Sequence, residues 1–245
     1  MSDHPNLGII ILAAGKGKRM KSTLPKVLHQ VVGIPMIKHV VTTASQLNPE
    51  KVVIVVGQGK EQVKDVLKGF DLVFVEQREQ LGTGHAVTQA EKEFAGFNGN
   101  ILILSGDVPL ITQMTLDKLL QMHYVSSVAA TVLSAIFENP FGYGRIILNG
   151  EGSLDRIVEE KDCTTELQTI QEVNAGIYVF DSQLLFLHLS NIVCDNRQKE
   201  YYLPDIIPLL RKSGHRVAIE QVNNIHEVAG VNTREQLIEI NRILE

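Results

Sequence analysis

Short, uninterrupted apolar runs separated by segments of helical periodicity constrain the fold of this chain more than any other feature. Four such runs, rich in Val, Ile and Leu, occur at Leu7–Leu12, Lys51–Val56, Leu72–Val75 and Ile101–Leu104. Strands covered on both faces have this pattern, because apolar side chains then point to both sides of the sheet. The alternation of strand and helix predicts right-handed crossovers and an α/β fold, with a central, mostly parallel mixed sheet flanked by helices.

The segments between these runs carry apolar residues at helical spacing. Helices are predicted at Pro35–Leu47, Glu61–Leu67, Gly84–Phe94 and Met114–Tyr124. Proline suits the first turn of the first of these helices, where its missing N–H has no intrahelical partner to lose. Thr112 can cap the last one, because a threonine oxygen accepts from the free N–H groups of a first turn.

The second half of the chain is less regular, and glycines and charges interrupt its apolar runs. Strands are predicted at Val128–Ile136, Arg145–Leu148, Leu154–Val158, Ile177–Phe180 and Arg216–Val222. Helices are predicted at Tyr202–Lys212 and Thr233–Leu244. We interpret this half as a smaller, β-rich lobe on the α/β core. No Pro/Ser-rich linker or repeat divides the chain, so residues 1–245 are predicted to form one domain. Leu237, Ile240 and Leu244 share a face of the last helix, which can pack on the core or meet a partner.

Composition restricts the class of protein. The 245 residues are 44% apolar and 21% charged, which is typical of a globular chain that needs no disulfide or metal to fold. Cys163 and Cys194 form no Cys-x-x-Cys motif, which excludes a zinc ribbon and suits a reducing compartment. No apolar run approaches the roughly 18 residues of a membrane span. Met1–Pro5 lacks the basic start of a signal peptide, so a soluble, cytoplasmic protein is predicted.

Charge is unevenly distributed along the chain. The formal net charge is −5, from 23 Lys and Arg against 28 Asp and Glu, yet no acidic residue lies between Asp3 and Glu50. Five of the six Lys and Arg residues in that interval fall between Lys16 and Lys26. One concentrated basic segment suits a small polyanion better than a nucleic acid, which requires a broad basic face. A solvated lysine-rich loop is the alternative.

The basic segment directly follows the first predicted strand, where Leu12–Met20 reads LAAGKGKRM. Ligands of open α/β sheets bind outside the carboxyl ends of strands, and small residues let successive N–H groups surround an anion. A dinucleotide fingerprint would need a glycine at Met20 and an acidic residue near Gly57-Gln58-Gly59, and a P-loop would need Ser or Thr after Gly-Lys. The segment is therefore a different phosphate-compatible loop, with Arg19 and Lys26 as its candidate cations.

A carboxylate follows the fourth predicted strand, in Ser105-Gly106-Asp107. At the carboxyl end of a central strand Asp107 is a natural Mg²⁺ ligand, since Mg²⁺ commonly takes one or two protein oxygens. Capping of the turn before Pro109 is the alternative. The eight histidines show no metal-ligand spacing, and no Gly-x-Ser-x-Gly elbow supplies a nucleophile.

Seven segments, in order from Leu7 to about Arg234, resemble the motifs of sugar-1-phosphate nucleotidylyltransferases. They are LAAGKGKRM with LPK at 12–26, EQLGTGHA at 79–86, GDVPL at 106–110, GYGRI at 142–146, IVEEKD at 157–162, QEVNAG at 171–176 and EVAGVN at 227–232. Together they are similar to the uridylyltransferase half of bacterial bifunctional N-acetylglucosamine-1-phosphate uridylyltransferase/glucosamine-1-phosphate acetyltransferases.

The resemblance implies a Rossmann-like nucleotidyltransferase fold with a sugar-binding lobe. It also implies that the enzyme transfers uridylyl from UTP to N-acetyl-α-D-glucosamine 1-phosphate with Mg²⁺, giving UDP-N-acetylglucosamine and pyrophosphate for cell-envelope precursors. UTP and the sugar phosphate would be its partners, with no nucleic acid and no membrane. The alternatives are another sugar 1-phosphate or pyrimidine nucleotide, or a non-catalytic nucleotide-sugar sensor.

Residue roles carry over by position. The implied nucleotide contacts are Leu12, Ala13, Ala14 and Gly15, with Gln77, Gly82 and Thr83 at the uridine. The implied phosphate and metal contacts are Arg19 and Lys26 for the phosphates and Asp107 and Asn232 for Mg²⁺. The implied sugar-phosphate contacts are Gly144, Glu159 and Asn174, with Ser105 and Gly106 also lining the substrate site. Ser105 departs from relatives that carry a larger residue there.

Bifunctional members of this family continue into a left-handed β-helix of hexapeptide repeats that binds acetyl-CoA. This sequence ends at Glu245 without such repeats. A cut at a domain boundary and a natural single-activity protein would both give this sequence. We therefore expect no acetyltransferase domain in residues 1–245, no acetyltransferase activity, and a monomer or weak oligomer.

Overall fold

The computed structural model describes His4 and residues 6–244. The expectation that no signal peptide is present concerns Met1–Pro5, of which only His4 is described, and the last residue of the chain also lies outside the described part. Within the described residues, no helix has both the length and the apolar composition that crossing a membrane requires.

The described residues contain eleven strands. They are β1 Leu7–Ala13, β2 Gln30–Val31, β3 Ile34–Pro35, β4 Lys51–Val56, β5 Val73–Glu76, β6 Asn100–Ser105, β7 Ala130–Ile136, β8 Gly144–Leu148, β9 Leu154–Val158, β10 Glu172–Asp181 and β11 Val217–Gln221. The central sheet has the order β11-β7-β10-β6-β1-β4-β5, and β2 and β3 form a separate hairpin.

Eight α-helices and six 3-10 turns connect these strands in the described residues. The helices are α1 Met36–Ser45, α2 Lys60–Val66, α3 Thr83–Thr88, α4 Gln113–Ser126, α5 Thr165–Gln168, α6 Ser182–Leu189, α7 Ile206–Lys212 and α8 Arg234–Leu244. The 3-10 turns are Lys18–Met20, Lys26–Leu28, Glu91–Phe94, Glu160–Asp162, Leu203–Asp205 and Ile225–Val228. Thr112 caps α4 as predicted, accepting a hydrogen bond from the N–H of Thr115 at 3.3 Å.

The predicted mostly parallel mixed sheet is confirmed. Strands β6, β1, β4 and β5 pair in parallel, as do β7 and β11. Strand β10 runs antiparallel to β6, β7 and β8. The carboxyl ends of β1, β4, β5 and β6 therefore meet at one edge, where ligands of open α/β sheets bind.

Helices cover both faces of the sheet, which explains the uninterrupted apolar runs. In β1, Ile9 and Ile11 face the core formed with α1, α2 and α4, and Ile10 faces the core formed with α3, α6 and α7. The apolar face of α8 packs inward through Ile240, which lies against Val31 of the hairpin in a third, smaller cluster. The end of that face is left exposed.

The β-rich lobe is continuous with the central sheet, because β10 changes partner along its length. Its first part pairs with β8, where Asn174 opposes Gly144, and its second part pairs with β6, where Tyr178 opposes Ile103. A bulge separates the two parts, with Gly176 at a φ of +72°. Strand β9 then extends the lobe by pairing with β8. This change of partner places the lobe just beyond the carboxyl end of β6.

The break after α3 corrects one predicted helix. The segment expected as a single helix, Gly84–Phe94, is α3 followed by the turn Glu91–Phe94. The side chain of Gln89 donates to the carbonyl of His85 at 3.0 Å, while the Gln89 N–H donates to Ala86 instead. The side chain thus takes the acceptor that a continued α-helix would use, and the apolar spacing does not reveal this.

Other boundaries differ for identifiable reasons. The strand expected at Ile177–Phe180 begins earlier, at Glu172. The sequence pattern does not reveal the first part of this strand, because the bulge at Gly176 interrupts the regular alternation of side chains. The helix expected at Tyr202–Lys212 is a 3-10 turn containing Pro204 followed by α7. Helix α1 begins after Pro35, which ends the hairpin.

Candidate active site

A cleft of about 540 Å³ lies at the carboxyl edge of the sheet. Its wall contains most of the residues to which sequence analysis assigned a role. Those residues are Leu12, Ala13, Ala14, Gly15, Arg19, Lys26, Gln77, Gly82, Thr83, Ser105, Asp107 and Asn232. Three strands supply most of them, β1 through its following loop, β5 through Gln77, and β6 through Ser105.

The basic loop after β1 folds back over Lys26. Gly17 has a φ of +58°, and a Cβ atom there would lie 2.7 Å from the Cβ of Lys26. Only glycine permits both this left-handed conformation and this close approach. Glycine 17 therefore brings the turn Lys18–Met20, which carries Arg19, beside Lys26.

Lys26 lies between the two predicted metal ligands. Its Nζ forms an ion pair with Oδ2 of Asp107 and donates to Oδ1 of Asn232 at 3.1 Å. The side chains of Lys26 and Asp107 are only 15% and 16% exposed. A carboxylate and a carboxamide oxygen thus converge on one cation in a partly desolvated site.

Backbone contacts hold these two ligands together. The N–H of Val231 donates to the carbonyl of Asp107 at 2.9 Å, which places Asn232 directly over the end of β6. Oε1 of Gln236 accepts from the N–H of Asn232 at 2.8 Å and from that of Thr233 at 3.1 Å. Two oxygens fixed in this way are the donor type that Mg²⁺ prefers, so the residues present fit a divalent cation.

At the part of the cleft to which the resemblance assigns the uridine, Gln77 is 3% exposed and its amide nitrogen faces two acceptors. Nε2 donates to the carbonyl of Gly82 at 3.0 Å and lies 3.0 Å from Nδ1 of His85. Because an amide nitrogen carries two hydrogens, both are used, and the carbonyl oxygen is left for another partner.

The loop that carries Gly82 is clamped by a distant segment. Tyr201 donates its N–H to Leu81 at 2.7 Å and accepts from the N–H of Gly84 at 2.8 Å. Gly82 has a φ of +111°, and a Cβ there would lie 2.5 Å from the carbonyl oxygen of Tyr201. The side chain of Thr83 accepts from the N–H of Leu203 at 2.9 Å. The glycine is therefore required for the loop to lie against this segment.

The four remaining predicted site residues are outside the residues that line the cleft in the described part of the chain. Gly106 packs beneath it, because its N–H donates to Leu12 at 2.9 Å and a Cβ would lie 2.9 Å from Ile37. The other three, Gly144, Glu159 and Asn174, are brought together in the lobe.

The lobe group adjoins the cleft through the bulge of β10. Oδ1 of Asn174 accepts from the N–H of Gly176 at 3.1 Å, and its Nδ2 donates to the hydroxyl of Tyr178 at 2.6 Å. The hydroxyl of Ser105, on the cleft wall, donates to the carbonyl of Gly176 at 3.4 Å. The role of Ser105, which the sequence left open, is thus a contact between the two parts of the site.

Acidic neighbours surround Glu159. Burial, followed by the negative charges of Asp205, Asp162 and Glu200, raises the pKa of the Glu159 carboxyl from 4.5 to about 7. Burial likewise raises the pKa of Asp205 to about 6. The next residue along the chain, Glu160, pairs at 2.8 Å with Arg145, whose side chain is 2% exposed. Carboxyl groups thus cluster at the lobe end of the site, whereas the loop after β1 is basic.

Seven further residues line the cleft without an assigned role in the sequence analysis: Lys16, Gly17, Lys18, Val27, Gln80, Ala86 and Glu200. Most lie inside or beside the motifs already quoted, so proximity to a motif was a usable signal. Glu200 carried no signal, because its segment reaches the cleft only by packing against the loop after β5.

The fold and the cleft define this chain as a nucleotidyltransferase by class. The profile of the MobA-like NTP transferase domain family matches residues 9–164, and the chain belongs to that family. It is 48% identical over 236 residues to the Bifunctional protein GlmU of Listeria monocytogenes serotype 4b (strain CLIP80459), covering 96% of this chain and 51% of that one. The family resemblance stated above is confirmed.

A second relative agrees. The Bifunctional protein GlmU of Streptococcus thermophilus (strain ATCC BAA-491 / LMD-9) is 49% identical over 225 residues, covering 92% of this chain and 49% of that one. The chain thus spans about half the length of these curated relatives. A solved structure of UDP-glucose pyrophosphorylase complexed with UDP-glucose superposes with a TM-score of 0.78 at 18% identity, covering 97% of each chain, which shows a shared fold.

The raised pKa of Glu159 predicts a pH-dependent stability effect. The pKa of the Glu159 carboxyl is about 7 in the folded protein and 4.5 in the unfolded chain. Such a carboxyl contributes its full stabilisation below pH 4.5, where it is protonated in both states. That contribution is lost as the pH rises from 4.5 to about 7. Glu159→Gln should therefore raise the free energy of unfolding at pH 8 by about 1–3 kcal/mol, and by much less near pH 5. Urea unfolding at both pH values measures this.

Glu166→Gln is the matched control, because Glu166 is an exposed carboxylate of the same lobe. It should change neither value appreciably. A Glu159→Gln protein that is equally destabilised at both pH values would contradict the assignment.

Proposed function

We propose that this chain transfers uridylyl from UTP to N-acetyl-α-D-glucosamine 1-phosphate, giving UDP-N-acetylglucosamine and pyrophosphate. The observation that carries the proposal is the convergence of Asp107 and Asn232 on the cation of Lys26, beside a basic loop. Similarity to GlmU proteins over nearly the whole chain supports the same reaction.

The reaction needs no covalent enzyme intermediate. A phosphate oxygen of the sugar phosphate attacks the α-phosphorus of UTP in line, and pyrophosphate leaves on the opposite side. The protein must position the two substrates and neutralise the charge of the transition state. The absence of a serine elbow from the sequence agrees with this chemistry.

Four side chains would manage the phosphate charge. Asp107 and Asn232 would hold Mg²⁺, which when bound supplies Lewis-acid neutralisation of phosphate oxygens. Lys26 would direct its ammonium at the reacting phosphate, and Arg19, on the cleft wall, would contact the leaving phosphates. The partial desolvation of Lys26 and Asp107 supports catalysis over mere binding, because charge stabilisation is stronger away from water.

The nucleoside end favours uracil over cytosine. With both amide hydrogens of Gln77 directed to Gly82 and His85, the free carbonyl oxygen can accept from the N3–H of uracil. Cytosine presents an acceptor at N3, which this oxygen would repel. Thr83 and the backbone at Gly82 would complete the uridine contacts.

The lobe would hold the sugar. Gly144 packs closely against β9, since a Cβ there would lie 3.0 Å from Cγ2 of Ile157 and 3.5 Å from Oε1 of Glu159. Glu159 and Asn174 offer hydrogen-bonding groups for the hydroxyls and the acetamide of the sugar. A site that pairs with the acetamide discriminates against the free amine, whose binding leaves buried polar groups unpaired.

Pyrophosphate release by the purified chain tests the proposal directly. With Mg²⁺, release should require both UTP and N-acetylglucosamine 1-phosphate, and it should be slow with CTP. kcat/KM for this sugar should exceed that for glucosamine 1-phosphate by at least about 10²-fold. Binding of UDP-N-acetylglucosamine without any pyrophosphate release would favour a sensor, and equal rates with glucose 1-phosphate would overturn the choice of sugar.

Asp107→Asn should lower kcat by about 10²-fold or more, because it preserves the shape of the side chain but removes the charge that would hold the metal. Steady-state turnover at saturating substrates measures this. Asp71→Asn, at an exposed aspartate before β5, should leave turnover unchanged. Near-normal turnover of Asp107→Asn at ordinary Mg²⁺ concentration would remove Asp107 from the mechanism.

Lys26→Gln should have two opposite effects. Turnover should fall by about 10²-fold, since a cation aimed at developing phosphate charge is lost. The affinity of the nucleotide-free protein for Mn²⁺, measured by electron paramagnetic resonance, should rise, because the ammonium no longer occupies the space between Asp107 and Asn232. Weaker Mn²⁺ binding together with unchanged turnover would mean that Lys26 only supports the local structure.

A further inference from the structure

Arg234 connects the basic turn that carries Arg19 with the segment that carries Asn232. It is the first residue of α8 and follows Asn232 by two positions. Its Nε donates to the carbonyl of Met20 at 2.9 Å, and its Nη2 donates to the carbonyl of Lys21 at 2.8 Å. These two carbonyls lie at the C-terminal end of the 3-10 turn Lys18–Met20, which carries Arg19.

The backbone is left-handed at both ends of the turn, and this is costly only at Lys21. Gly17 precedes it at a φ of +58°, and Lys21 follows it at a φ of +49°. The left-handed region is costly for a residue with a β-carbon, so Lys21 needs external support to remain there. The planar guanidinium holds two successive carbonyls in one fixed geometry through two different nitrogens, and the single nitrogen of an ammonium does not reproduce that geometry.

At its other end, Arg234 belongs to a segment that is anchored on the metal ligands. Val231 donates to the carbonyl of Asp107, and Gln236 accepts from the N–H groups of Asn232 and Thr233. The segment from Val231 to Gln236 therefore contacts both Asp107 and the basic turn. Arg19 itself is exposed, so the backbone of that turn determines where its side chain begins.

We infer that Arg234 is a positioning residue, which sets Arg19 of the basic turn relative to the Asp107–Asn232 pair. The inference rests on the proposed function, in which Arg19 serves the leaving phosphates of UTP. Loss of the two bonds from Arg234 to the carbonyls of Met20 and Lys21 should release the turn. The binding and turnover of UTP should then weaken, because Arg19 is no longer held in place. The sugar end, which lies in the lobe, should be unaffected.

Arg234→Lys tests this by keeping the charge while removing the two-carbonyl grip. It should lower kcat/KM for UTP about tenfold, a size typical of misplaced catalytic groups, and leave KM for the sugar phosphate unchanged. Arg216→Gln is the matched control, because Arg216 also donates to a backbone carbonyl, that of Ser126, away from the cleft. A parallel rise in both KM values would overturn the inference.

A double-mutant cycle separates positioning from general support. If Arg234 acts through Arg19, then Arg19→Ala combined with Arg234→Lys should be no slower than Arg19→Ala alone, because residues that act as one unit are not additive. Losses that multiply would show that Arg234 acts independently of Arg19, against the inference.

Limited trypsin digestion provides a readout that needs no enzymatic activity. Cleavage after Lys18, Arg19 and Lys21, followed by mass spectrometry, should be several-fold faster in Arg234→Lys than in the parent or Arg216→Gln protein, because a released turn opens more often. Unchanged cleavage would refute the inference. Faster cleavage of Arg234→Lys, together with a parent protein that releases no pyrophosphate, would refute the proposed function and retain the structural link.

Discussion

The rest of the site depends on one interaction, in which the ammonium of Lys26 binds both Asp107 and Asn232. Three segments far apart in sequence meet there, each at the carboxyl edge of the sheet. A partly buried carboxylate without a partner would be costly, so each segment needs the others to remain in place. The backbone bond from Val231 to Asp107 and the left-handed Gly17 both serve this meeting point.

The reversed strand β10 provides the second half of the site. Were β10 to pair with β6 along its whole length, the lobe could not approach the end of β6. The bulge at Gly176 transfers the strand to β8 at the level of Ser105, and this places Asn174 and Gly144 beside the cleft. A local backbone irregularity therefore determines where a sugar could lie relative to the phosphates.

Sequence analysis predicted the elements whose signals are local. The strands of the first half follow from uninterrupted apolar runs, and Lys26 and Asp107 stand out because charge and glycine cluster where strands end. Residues that act through distant packing carried no such signal: Glu200 reaches the cleft only through the clamp on the loop after β5, and Arg234 only through the basic turn. The roles of Asn232 and Asn174 came from the family resemblance and not from their spacing.

The broken helix and the extended strand show a related limit. Apolar spacing is nearly the same for α3 followed by a 3-10 turn as for one longer helix, and one side-chain bond from Gln89 decides between them. In β10, the alternation pattern is interrupted at the residue that changes the partner strand. Pattern reasoning fails at these places because the deciding interaction is a single non-periodic contact.

Basic and acidic side chains lie at different parts of the site, although the net charge of the protein is negative. Lys16, Lys18 and Arg19 line one end of the cleft, and Glu200 lies on its wall towards the lobe, where Glu159 and Asp205 have raised pKa values. An acidic protein thus concentrates basic side chains at one part of the cleft and carboxyl groups towards the lobe. A sugar phosphate carries its phosphate and its hydroxyl groups at opposite ends, so this distribution of charge would orient such a ligand before any specific hydrogen bond forms.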